Sequence, residues 1–131
     1  MNRRKAREIA FVLIFEYRFQ PDKIAANIEN LLEIYPDLGE QRGYVEDVVL
    51  GFAQNAAAID GKIAEMAQGW SLKRMSAVSL ACMRLAMYEI LFREDIPNPI
   101  AIDEALNLVR KFEGDEAIGF VNGVLGKFEK N

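Results

Sequence analysis

The residues with the clearest chemical potential lie at the start of the chain, where Arg3, Arg4, Lys5 and Arg7 fall within five positions. On a helix, at 100° per residue, Arg3, Arg4, Arg7 and Arg18 share a sector about 100° wide, with Phe11, Ile14 and Phe15 in or beside it. Guanidinium groups offer paired donors to phosphates and stack on bases, and exposed aromatic rings give platforms for unpaired bases. Single-stranded RNA is commonly held by this combination. The same pattern also describes a solvated first turn with Phe11 and Phe15 in the core, and the residues taken alone favour that plainer reading.

Other chemistry finds little support. The chain has no histidine and one cysteine, Cys82, so the usual general base and metal-ligand sets are missing. It contains no G-x-x-x-x-G-K loop and no G-x-G-x-x-G turn. The sequence therefore predicts a protein that is not an enzyme, with no cofactor and no metal. Cys82 stands between Ala81 and Met83 and reads as an inert core thiol, consistent with a reduced, cytoplasmic setting.

Arg84 and Glu89 are the only charges between Met75 and Phe92. Five positions apart, they point in different directions on a helix and are not partners for each other. Each needs a partner at a helix junction, since an unpaired buried charge costs several kcal/mol. Asp103, Glu104 and Arg74 are the candidates. Trp70 is expected to pack between two groups of helices, and Phe120, on spacing alone, belongs to the core.

These residues must be carried on helices, because nearly every segment reads at helical period and none alternates as a half-buried strand does. At 131 residues and 51% hydrophobic, the chain suits one domain, residues 1–131, with no membrane span and no signal peptide. The expected first helix covers Arg3 to Phe19 and stops near Pro21. A second carries Ile24, Ile28, Leu31, Leu32 and Tyr35 up to Pro36. The series from Val45 to Met66 reads as one helix or as two broken near Asp60 and Gly61. Ser76 caps an apolar, hence central, helix to Phe92. Asn98 and Pro99 open a helix to Phe112, Gly114 follows it, and Asp115 caps a last helix of Glu116 to Phe128. The fold class is all-α: six to seven helices in a compact bundle, as two small subdomains sharing an interface. The net charge of −4 is unevenly placed, with five basic and two acidic residues in positions 1–18 and eleven basic and eighteen acidic in the rest. A polyanion should meet the amino-terminal end.

Four stretches, NRRKARE (Asn2 to Glu8), RLAMYEIL (Arg84 to Leu91), DIPNPIAIDEAL (Asp95 to Leu106) and GFVNGVLGKF (Gly119 to Phe128), together resemble the NusB family of bacterial transcription antitermination factors. The resemblance is specific from Trp70 to Phe128, fair over Arg3 to Phe19 and weak between them. It implies two helical subdomains and binding of boxA RNA, tighter with the ribosomal protein NusE attached, in support of the RNA polymerase elongation complex with other Nus factors. It assigns RNA contact to Arg3, Arg4, Lys5 and Arg7, to Phe15, and to Phe120 with Asn122. It places the NusE surface around Ser79, Met83, Arg84 and the turn beginning at Arg93. A homodimer covering the basic face is also within the family's range.

Three departures bear on this. Ala117, Ile118 and Gly119 stand where the family commonly has a serine and a lysine before the aromatic residue, removing polar and cationic contacts. Ser79 and Leu80 stand where an acidic residue, often followed by a basic one, is usual. Asp103 replaces the asparagine of an A-I-N-E-A stretch, exchanging donor capacity for charge. The leading expectation is a non-catalytic adaptor on boxA-type RNA. The alternative is a NusB-like accessory RNA-recognition or protein-interaction module without antitermination activity. Changing Arg3, Arg4 and Arg7 to Ala is expected to weaken RNA binding and leave stability nearly unchanged.

Overall fold

The computed structural model describes residues 1–129; positions 130 and 131, the end of the expected domain, lie outside the described residues. Among the described residues, seven α-helices are α1 (Arg3–Tyr17), α2 (Ile24–Ile34), α3 (Gln41–Gln54), α4 (Ala56–Met66), α5 (Ala77–Phe92), α6 (Asn98–Phe112) and α7 (Ile118–Leu125), with short 3-10 turns at every junction but α3–α4 and α5–α6. The all-α expectation holds.

Local chemistry sets the helix ends. The Asn2 side chain accepts from the Lys5 backbone N–H at 2.8 Å and starts α1. The Ser76 side chain accepts from the Ser79 N–H at 3.0 Å and starts α5, as expected. Gly114, at φ 140°, ends α6 in a backbone conformation that side chains rarely adopt. Asn98 is itself the first residue of α6, with Pro97 as its cap, one position earlier than expected. Asp115 opens a 3-10 turn, and α7 begins only at Ile118.

The middle section divides at Asn55, not near Asp60 and Gly61. There the Asn55 amide donates to the Gly51 carbonyl at 2.8 Å, and its backbone N–H also turns back to Gly51 and Phe52. An asparagine side chain competing for a helical carbonyl is a local alternative to the next turn. Gly61 has open space around it and continues α4, a tolerable loss of about 1 kcal/mol relative to alanine.

The central helix is α5, which touches α1, α3, α4, α6 and α7. Helices α1, α2 and α3 pack on one another, while α6 and α7 pair with each other and both rest on α5. The two groups share one continuous core that includes Leu13, Ile14, Phe52, Ile63, Met83, Met87 and Leu125. Close approach of α3 to α5 depends on Gly51, where a Cβ would run into the ring and hydroxyl of Tyr88. Trp70 departs from its expected packing role: it is 56% exposed and rests against Phe120.

Candidate nucleic-acid interface

The start of α1 carries the cations outward, each on a partner. The Arg3 guanidinium lies 4.2 Å from the centre of the Tyr44 ring, and its Nε donates to Gln41 at 2.6 Å. Arg4 is the most open, with its side chain 70% exposed, and donates to both oxygens of Glu104 at 2.9 and 3.3 Å. Glu104 is thereby held below the ordinary carboxylate range, first by the Arg4 hydrogen bond, against burial and with added attraction from Arg4 and Arg7. Lys5 reaches Glu8 at 3.6 Å, and Lys111 of α6 reaches the same carboxylate at 2.8 Å. The exposed cations of this end are thus Arg4, Lys5 and Lys111, with Arg3 partly sunk. Lys111 was not anticipated from the sequence; its signal was a basic residue in the last turn of an amphipathic helix, which by itself suggests only helix-end electrostatics.

Arg7 corrects the expected site. It is buried, and its Nε and Nη2 donate to the two oxygens of Glu89 at 3.1 Å each. Tyr44 donates its hydroxyl to the same carboxylate in a short hydrogen bond, and Glu104 lies 3.6 Å from Arg7. Burial works against the Arg7 charge, but the bonds and attraction of Glu89 outweigh it and leave the guanidinium more basic than usual. Burial, with the Glu89 charge, likewise pushes the Tyr44 hydroxyl well up. An arginine committed in this way offers no donors to a phosphate. The cause is angular: Arg7 lies between Phe11 and Ile14 around the helix, and both are core residues. The triple alanine change that includes Arg7 therefore tests folding as much as RNA binding.

The aromatic candidates lie further along. Phe15 is partly buried between Phe11, at 6.2 Å, and Phe19, at 5.3 Å between ring centres. Phe120, also partly buried, faces Trp70 at 5.2 Å, and Asn122, two residues on, is exposed. Phe120 and Trp70 form one wall of a cleft of about 220 Å³ that also contains Arg74, Ser79, Glu113 and Glu116. The basic end and this cleft are separate places: the first is at the start of α1, whereas Arg18, past the end of α1, donates to the Met75 carbonyl at the cleft. A groove of about 260 Å³ at the basic end is lined by Lys5, Glu8, Val12, Tyr35, Lys111 and Phe112.

The expected partner surface on α5 is also corrected. Ser79 and Met83 are buried, at 3% and 0% exposure, so neither can meet a partner while α5 remains central. The Ser79 hydroxyl donates to Glu113 in a short hydrogen bond. Arg84 is paired bidentately with Asp60 at 2.8 and 2.9 Å, not with Asp103, Glu104 or Arg74. Arg93 alone of the four stands at the α5–α6 turn, bridging Asp47 at 3.0 Å and Asp95 at 2.9 Å, with Leu91 and Phe92 exposed nearby. Cys82 is buried, and burial pushes its thiol well up, so it is inert. Among the described residues, no helix is long and apolar enough to cross a membrane.

Comparison with known proteins places this arrangement. The NusB family model matches residues 4–130. The transcription antitermination protein NusB of Acetivibrio thermocellus is 47% identical over 131 residues, covering 99% of this chain and 90% of its own length. That of Clostridium novyi is 40% identical, with 99% of each chain covered. The solved structure of T. maritima NusB superposes with a TM-score of 0.89 at 32% identity, covering 100% of this chain and 92% of that one. A family match over nearly the whole length, relatives at this identity and a shared seven-helix architecture lead to one conclusion: the chain belongs to the NusB family.

Proposed function

We propose that the chain is a non-catalytic transcription antitermination factor that holds single-stranded boxA-type RNA together with NusE and so supports processive transcription of ribosomal RNA operons. The carrying observation is the cluster of Arg3, Arg4, Lys5 and Lys111 at one end of a protein of net charge −4. A polyanion is drawn to that end and repelled elsewhere. Phosphates would exchange with Glu104 on Arg4 and with Glu8 on Lys5 and Lys111, giving orientation without base reading. Bases unstacked along the groove would meet the aromatic rings beyond it. NusE would dock at the α5–α6 turn, where Arg93 stands beside exposed Leu91 and Phe92, and not on buried Ser79 or Met83.

The test is binding of a labelled boxA-type oligonucleotide against a scrambled control, with and without NusE, over a series of salt concentrations. Sequence-selective binding strengthened by NusE is expected. With Arg4, Lys5 and Lys111 on phosphates, the log-log salt slope should be roughly −2. Binding that ignores sequence in the presence of NusE would reduce the site to a basic helix end.

A further inference from the structure

Arg3 is held differently from the other basic residues of its end. Arg4 sits on Glu104, Lys5 and Lys111 share Glu8, and Arg7 is locked to Glu89, so each of them is already matched by a carboxylate. Arg3 has no carboxylate partner among the described residues. Both groups that hold it are neutral, and both come from the first turn of α3: its guanidinium carbon lies 4.2 Å from the centre of the Tyr44 ring, over that ring, and its Nε donates to Gln41 at 2.6 Å. Tyr44 is itself fixed, being buried with its hydroxyl bonded to Glu89. One support on the face and one at the edge set the orientation of a planar group. Arg3 Nη1 and Nη2 have no partner among the described residues and are not buried, so both donors reach water.

We infer that Gln41 and Tyr44 are positioning residues for RNA: they hold Arg3 so that its plane and its two free donors meet the RNA in one fixed geometry. An exposed cation paired with a carboxylate must release it before taking a phosphate, and then holds the phosphate by charge. Arg3 releases nothing, and with its side chain already ordered it loses little further freedom on binding. Two parallel N–H groups on one acceptor, or a base laid on the guanidinium plane, are contacts that an ammonium group does not reproduce. The Arg3 contact therefore depends on the shape of the side chain, whereas those of Arg4, Lys5 and Lys111 depend on charge. This inference rests on the RNA-binding reading above and adds to it two residues of α3 that act through Arg3.

The test is anisotropy of a labelled boxA-type RNA over a series of salt concentrations, with denaturant unfolding of each variant measured alongside. Arg3→Lys keeps the charge and loses the plane; it should bind about tenfold more weakly than the wild type, with an unchanged log-log salt slope. Gln41 is the first residue of α3, where no side chain caps the helix. Gln41→Leu should therefore leave stability in place, weaken RNA binding about threefold, and weaken it no further once Arg3 is replaced by Ala. Tyr44→Leu should lower both stability and RNA affinity, and Tyr44→Phe, with the ring restored, should recover the affinity while still lacking the bond to Glu89. An Arg3→Lys protein that binds as tightly as the wild type would overturn the inference and leave the RNA reading intact, since charge alone would then suffice. So would a Gln41→Leu loss of the same size in the Arg3→Ala background, because Gln41 would then act without Arg3. Absence of any anisotropy change, with NusE present or not, would remove the RNA reading and this inference with it.

Discussion

Arg4 and Arg7 sit three residues apart on one helix and do opposite things. Arg4 lies at the open end of α1 with its side chain 70% exposed, whereas the Arg7 side chain is 8% exposed and locked to Glu89. A charge near water gains little from a partner and remains free to exchange it. A charge inside the fold is held by every bond it makes, because losing one partner strands the other in a medium that cannot solvate it. The same residue type is therefore open to a new partner in one position and a bolt between α1, α3 and α5 in the other. The sharpest way to break this comparison is Arg7→Ala. Leaving Glu89 and Tyr44 without their cation should cost about 3–5 kcal/mol, read by denaturant unfolding. An Arg7→Ala protein as stable as the wild type would show that the pair is not structural.

How far this was legible in the sequence differs between the two arginines. The basic start of the chain, the capping Ser76, the apolar central helix and the stop at Gly114 could all be read locally, because each depends on near neighbours. The fate of Arg7 depends on Glu89, 82 positions away, and nothing local announces such a pair. Two clues existed all the same. Arg7 shares its angular sector with Phe11 and Ile14, and Glu89 was a lone charge seeking a partner in an apolar helix. Taken together, they point to each other. Ser79 and Met83 were misplaced for a related reason: a helix apolar on all sides has no outward face on which to seat a partner. The pairing of Arg84 with Asp60 joins positions 24 apart, and Asp60 beside Gly61 also suits a helix break, so nothing local announces it.

The next largest effect concerns the open end. Arg4→Ala with Lys5→Ala should leave the thermal midpoint within about 2 °C of the wild type, since neither side chain is part of the core. RNA affinity at low salt should fall, and the log-log salt slope should shrink from roughly −2 to roughly −0.7, as two of three phosphate contacts are lost. A large drop in midpoint would mean that the exposed arginine, too, is structural and would dissolve the contrast with Arg7. A smaller and opposite effect is expected from Glu104→Gln. The bidentate partner of Arg4 competes with phosphate, so weakening it should raise RNA affinity roughly two- to fivefold. Unchanged or reduced affinity would mean that Glu104 presents Arg4 to the RNA instead of restraining it.

The smallest effect tests the same carboxylate through pH. The Arg4 hydrogen bond, opposed by burial, holds Glu104 below its ordinary value of 4.5 in the folded protein. A carboxylate whose folded value is depressed adds stability that is present above the unfolded value and lost as pH falls through the folded one. The midpoint advantage of wild type over Glu104→Gln should accordingly be constant near neutrality and shrink below about pH 4.5. Because Arg4 is exposed and Glu104 only partly covered, salt should reduce this advantage. The Arg7 pair, screened by the fold, should respond much less to salt in the corresponding comparison with Arg7→Ala. Equal salt sensitivity at the two sites would mean that water reaches Glu89 as readily as Glu104, and the separation between the buried bolt and the exposed pair would then be one of geometry alone.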